Sequence, residues 1–193
     1  MTRVAVLIDG GFVRNSAKND NKAYDAKFIE KFGLSCKGAA ETIHRILYYD
    51  CAPFVGKAKL PVSGAMHQFV GNDQWLHDLA KKDLFAVRRG VLKFRGWTPK
   101  HVPIAVKALQ DADFAPEFEQ KGVDMRIGLD MANYAANRSV EIIALVTNDT
   151  DCIPAMKYAR RAGLQVALVS VPNRSTTPEL MAHCDFHRSV AWP

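Results

Sequence analysis

Four aspartates stand where the sequence can support metal chemistry. Asp9 closes the apolar run VAVLI at residues 4–8 and precedes Gly10-Gly11. Asp149 and Asp151 follow the run EIIALV at 141–146, in the stretch Thr147-Asn148-Asp149-Thr150-Asp151. Asp124 stands near the start of the helical stretch GVDMRIGLDMANYA at 122–135. Carboxylates brought within a few ångströms repel, and each raises its neighbours' pKa unless a cation neutralises them. Oxygen-only ligands suit Mg²⁺ or Mn²⁺, and Mg²⁺ keeps several of its waters. Such ions can activate a water and stabilise the leaving oxygen of a phosphodiester.

The elements that must position these acids are legible as βαβ units. VAVLI is short, β-branched and wholly apolar, as a strand buried on both faces of a parallel sheet must be. Further strands are predicted at 46–49, ending at Asp50, at 141–146 and at 165–169. Helices are predicted at 38–45 and from Ile153 to Arg161, the latter stopping at Gly163. Strands alternating with helices imply an α/β fold with a mainly parallel sheet, and ligands of such sheets lie beyond the strands' carboxyl ends at the switch point. If the first strand neighbours the 141–146 strand, Asp9, Asp149 and Asp151 face one crevice, with Asp124 as a fourth ligand. Asp124 and Asp151 also fit simpler roles, as a helix cap and a first-turn acid. Asp130 lies six residues after Asp124, about 600° of helical rotation away, which assigns it a supporting or structural role.

The middle is less regular. Residues 52–66 read as a loop, 72–86 as helix, 87–97 as a strand or hairpin, and 98–118, with Pro99, Pro103 and Pro116, as a mobile connection. Arg88, Arg89, Lys93, Arg95, Lys100 and Lys107 fall in a stretch from Leu84 to Gln110 without Asp or Glu, interleaved with Phe94 and Trp97. Basic side chains can contact phosphates and aromatic rings can stack on bases, so Arg88, Arg89, Lys93 and Arg95 are candidate RNA contacts. The alternative is a solvated strand face with Phe94 and Trp97 in the core.

Three ordered blocks together carry a resemblance: Asp9-Gly10-Gly11 after its strand, Lys121-Gly122-Val123-Asp124 with Asp130 in the following helix, and VTNDTDCIPAMKYARRAGLQVALV at 146–169. With RILYYDCAP at 45–53, they resemble the NYN family of PIN-like nucleases from residue 3 to about 187. The resemblance implies a PIN-like, Rossmann-like three-layer sandwich, a Mg²⁺ or Mn²⁺ site and hydrolysis of RNA. By matching motif the metal ligands and catalytic acids are Asp9, Asp124, Asp149 and Asp151, with Thr147 and Asn148 as polar helpers. One position departs from the pattern: Phe12 stands where many members carry Asn.

The bulk properties agree. The 193 residues carry a formal net charge of +6, which favours a polyanionic partner. Cys36, Cys51, Cys152 and Cys184 form no CxxC pair, as expected of reduced thiols in a cytoplasmic protein. No run is long enough for a signal peptide or a membrane span. There is no GxxxxGK[ST] loop for an NTPase, and Gly11 replaces the second acid that a haloacid-dehalogenase-type phosphatase needs. His183-Cys184-Asp185-Phe186-His187 has no zinc spacing, and 178–184 reads as a short helix packing the C-terminus. The expectation is therefore one domain over residues 1–193 with an insertion-like basic segment at about 84–118. Its expected activity is metal-dependent endonucleolytic hydrolysis of single-stranded RNA, with a homo-oligomer compatible. The rival expectation is a non-catalytic RNA-binding or regulatory module on the same fold, which Phe12 favours.

Overall fold

The computed structural model describes residues 2–104 and 109–193, so Lys107 of the basic segment lies outside the described residues. In chain order the elements are β1 (Thr2–Asp9), α1 (Gly10–Asn19), α2 (Ala26–Ser35), β2 (Glu41–Cys51), β3 (Gly56–Lys59), β4 (Met66–Phe69), α3 (Gln74–Ala80) and β5 (Phe85–Pro99). They continue with β6 (Phe114–Lys121), α4 (Val123–Asn137), β7 (Ile142–Val146), α5 (Ile153–Arg161), β8 (Gln165–Ser170), α6 (Pro178–Met181) and β9 (Phe186–Ser189).

Seven strands form one sheet in the order β6-β5-β2-β1-β7-β8-β9. All its neighbours pair in parallel except β5 and β6. The predicted α/β fold with a mainly parallel sheet is thus present. β1 is its centre, and successive side chains explain why. Val4, Val6 and Ile8 face a core shared with Phe32 of α2 and Leu76 of α3, whereas Ala5 and Leu7 face one shared with Ile127 of α4 and Met156 of α5. Helices therefore cover both faces, giving three layers, and a strand buried on both sides is apolar throughout.

Two assignments change. The predicted helix at 38–45 is a turn followed, from Glu41, by strand: Glu41 to Ile43 pair with Thr2 to Val4, extending β2 to 11 residues. Thr42 and Ile43 are β-branched and suit a pleated surface beside β1. The predicted loop at 52–66 contains β3, which forms an antiparallel pair with β4, and the predicted connection at 98–118 ends in β6. Only Gln74–Ala80 of the helical reading at 72–86 is helix.

β5 explains the irregular middle. Its first part pairs in parallel with β2 through Gly90, and its second part, from Val91, pairs antiparallel with β6. On this extension Trp97 stacks on Phe69 of β4, Phe94 packs against Phe69 and edge-on to Phe118 of β6, and Phe54 joins them, so these rings form a satellite cluster.

Gly10 is fixed by close packing where α1 leaves β1. A Cβ there would lie 2.7 Å from the Tyr49 carbonyl oxygen and would overlap the Tyr48 ring. Because backbone cannot yield as a flexible side chain does, Gly10→Ala is expected to destabilise the fold by about 1–3 kcal/mol in urea unfolding. Unchanged stability would show that α1 is free to move away from β2.

Candidate active site

The switch point lies between β1 and β7, where Ile8 pairs with Val146, β1 ends in Asp9 and β7 is followed by Thr147-Asn148-Asp149. Asp9 ends β1 and caps α1, its Oδ1 accepting from Phe12 N at 3.0 Å. Its Oδ2 accepts from Thr147 Oγ1 at 3.3 Å. Thr147, buried just after β7, also accepts from Asp149 N at 3.1 Å, so one hydroxyl ties the two acidic segments together. Asp149 in turn accepts from Asp151 N at 2.9 Å, shaping the short turn before α5. Asn148 Oδ1 accepts from Thr177 N at 3.2 Å, which joins this turn to the residue before α6.

Asp124 enters from the other side, in the first turn of α4. Gly122, with φ 78°, provides the left-handed bend from which that helix starts. Burial raises the Asp124 pKa, and the carboxylates of Asp149 and Asp151 raise it further. At Asp9 burial is again the largest cause: together with the charges of Asp124 and Asp50 it pushes the pKa up to about 6, against the lowering hydrogen bonds from Phe12 and Thr147. Both direct partners of Asp9 are uncharged.

Asp50, a residue the sequence reading treated only as a strand end, is the contrast. It is fully buried at the end of β2 and forms an ion pair with Arg14 of α1. Tyr48 OH donates to it at 3.0 Å and Gln120 Nε2 at 3.4 Å. The missed signal was available, since an acid after the second buried strand requires a partner.

Asp9, Phe12, Asn15, Gln120, Asn148 and Asp149 line a cleft of about 540 Å³ that also reaches Thr177. Asp124 and Asp151 lie within electrostatic reach but do not line this cleft. Among the described residues, no three His, Cys, Asp or Glu side chains converge closely enough to share one ion directly. The donor set nevertheless fits a hard cation. It is oxygen-only, its negative charges are mutually destabilising, and Mg²⁺ is commonly held by one or two carboxylates with water completing its shell. Thr177 Oγ1, buried without a hydrogen-bond partner, is a further oxygen at the cleft. Cys152 is no nucleophile: burial and the charges of Asp149, Asp124 and Asp9 push its thiol up to about 12.

The remaining candidates lie elsewhere. Asp130 accepts from Tyr49 OH and from Arg88 Nε, both at 2.9 Å, tying α4 to β2 and β5. Arg89 pairs with Asp73 and Arg95 with Glu119, while Lys93 is exposed. In the C-terminal segment, Asp185 accepts from Val166 N and Arg160, a structural tie.

A mainly parallel sheet with acids gathered at its switch point is an arrangement suited to metal-assisted chemistry on phosphate esters. The NYN domain family model matches residues 3–190, and the chain belongs to that family. The family lies in the PIN-like nuclease superfamily, whose members are generally dependent on divalent metal. The fold is similar to that of a solved protein of unknown function from Vibrio parahaemolyticus, at 16% identity and a TM-score of 0.56, covering 98% of this chain and 93% of that one. No functionally curated protein matches the chain. Among the described residues, no helix is long and apolar enough to cross a membrane.

The buried charge of Asp9 has a measurable cost. A native pKa of about 6 against an ordinary 3.8 corresponds to about 3 kcal/mol at neutral pH. Between about pH 4 and 6 the native state binds the extra proton, so this contribution to stability is lost as pH rises through the window. In chelator, Asp9→Asn keeps a capping oxygen and is expected to be about 1–3 kcal/mol more stable than wild type at pH 7.5. Below about pH 4 that advantage should vanish. An advantage equal at both pH values would assign it to something other than the charge.

Proposed function

We propose that the chain is a divalent-metal-dependent ribonuclease that hydrolyses single-stranded RNA internally. The observation that carries this reading is the placement of Asp9, a buried carboxylate at the switch point beside other carboxylates, whose direct partners are uncharged. Perturbed acids in a cleft are a mark of functional sites. Asp9 and Asp149 would hold Mg²⁺ or Mn²⁺ most directly, with Asp124 and Asp151 contributing through water or a small inward shift. An ion held there would supply a water of lowered pKa and a positive charge for the leaving oxygen.

The chain's own groups do the rest. Thr147 orients Asp9 and holds the Asp149 backbone through one hydroxyl. Asn148 uses Oδ1 on Thr177 N–H, which leaves its Nδ2 to donate to a phosphate oxygen. Thr177 Oγ1 supplies another donor at the same cleft. On β5, Arg88, Arg89, Lys93 and Arg95 remain candidate contacts to RNA, and Lys93 forms none of the ion pairs that engage the three arginines. The second reading, RNA binding without cleavage, is favoured by the apolar Phe12 lining the cleft and by the spread of the acids.

With Mn²⁺ or Mg²⁺ the purified protein is expected to cut labelled single-stranded RNA, and chelator should stop it. Asp9→Asn and Asp149→Asn should abolish cleavage while the chain stays folded. Thr147→Val, which removes a ligand-orienting hydroxyl, should lower metal affinity or rate about 10–100-fold. Cleavage surviving both aspartate changes would remove these acids from the mechanism, and RNA binding without cleavage at any metal concentration would favour the second reading.

A further inference from the structure

Beside the acidic cleft lies a second depression of about 440 Å³ that the proposed chemistry does not use. Arg14, Lys18 and Lys22 line it on one side, and Tyr24, Pro53 and Trp75 give it an apolar wall. Arg14 and Lys18 are one turn apart on α1, and Lys22 lies in the turn after that helix, where its N–H closes onto Ala17 O at 2.9 Å. Lys18 and Lys22 are exposed, and among the described residues neither forms an ion pair. Two lysines without an acid, beside Arg14 with its partner Asp50, therefore border an aromatic surface.

The wall is firmly held. Tyr24 OH and Tyr48 OH are 2.8 Å apart, and Tyr48 OH donates to Asp50, the acid paired with Arg14. Trp75 packs edge-on against both tyrosines, at 6.2 Å from Tyr24 and 5.9 Å from Tyr48. It remains partly exposed.

Continuity with the cleft sets the direction of any ligand. Arg14, which lines this groove, and Gln120, which lines the cleft, donate to opposite oxygens of Asp50. The two depressions are thus separated by the groups around one carboxylate. α1 runs from Asp9 in the cleft to Lys18 in the groove, a rise of about 13 Å.

We propose that the groove along α1 binds a flanking segment of the same RNA strand that enters the acidic cleft. Lys18 and Lys22 contact its phosphates and Trp75 offers a face to a base. This assignment rests on the ribonuclease reading for its direction, and the pairing of cations with an aromatic surface suits a single strand. Cleavage then requires an RNA long enough to occupy both sites. The β5 arginines each already meet an acid, whereas Lys18 and Lys22 do not.

The test is binding of a fluorescent 12-residue oligouridylate to the full chain in chelator, so that binding is read without cleavage. Lys18→Ala/Lys22→Ala should weaken binding at least tenfold and reduce the log–log salt slope by about 1.4, or about 0.7 for each lost single-strand phosphate contact. Tryptophan quenching by the oligomer should be lost in Trp75→Phe, which keeps a ring against the tyrosines. Unchanged affinity and slope in the double variant overturn the groove, and cleavage by both proteins in Mn²⁺ would leave the ribonuclease reading standing. Groove-dependent binding with no cleavage by the wild type supports the groove and removes the ribonuclease reading alone. Displacement by polyglutamate as effective as by RNA of equal charge overturns the assignment to a nucleic-acid strand, as does absence of RNA binding by the wild type.

Discussion

Asp9 is a carboxylate that the fold holds out of water without giving it a cation. Its neighbour Asp50, buried at the end of the adjacent strand, is neutralised by Arg14. Asp9 has a backbone N–H and a threonine hydroxyl instead, and its pKa is pushed up to about 6. Burying a charge without a charged partner is unfavourable, and stored cost of this kind is concentrated at functional sites. Much of the local architecture follows from keeping this group in place. Gly10 brings α1 against β2, Thr147 spans from β7 to Asp9, and Gly122 turns the chain so that Asp124 starts a helix nearby.

The contrast between the two buried acids divides the region into a part that is complete and a part that is not. The Asp50 side, with Arg14, Tyr48, Tyr24 and Gln120, is a satisfied hydrogen-bond network, and such networks fix geometry. The Asp9 side combines repelling carboxylates with the unpartnered Thr177 hydroxyl. A divalent cation with its water shell is the simplest species that would supply both charge and hydrogen bonds there. The satisfied side then acts as a rigid wall between the cleft and the basic groove.

Much of the centre was legible in the sequence because burial on two faces leaves a plain signature. β1, β7 and β8 each contain an apolar run of at least four residues, β1 ends in Asp9, and Asp149 follows three residues after β7 at the switch point. Asp9 and Asp149 could be brought together from those runs alone, whereas Thr147 came only with the family resemblance. The edges were less legible for identifiable reasons. Glu41 to Ile43 read as helix, but pairing with β1 outweighed local preference. The strand pairing of β5 with β6 joins residues on either side of a proline-rich stretch, so no local pattern announced it. The basic segment looked free of acids only along the chain: Arg89, Arg95 and Arg88 meet acids 16, 24 and 42 residues away. The Arg14–Asp50 pair, 36 residues apart, was hidden in the same way. Charges within one segment do not reveal which of them a fold will pair.

Exchange of a proton for a divalent ion at the buried Asp9 cluster is read by calorimetric titration with Mn²⁺ in buffers of different ionisation heat. Binding to the wild type is expected to release protons at about pH 5.5, where Asp9 is largely protonated, and to release almost none at pH 8. In Asp9→Asn both the affinity and the proton release should collapse. Equal Mn²⁺ binding by wild type and variant, with no proton released at either pH, would contradict the account.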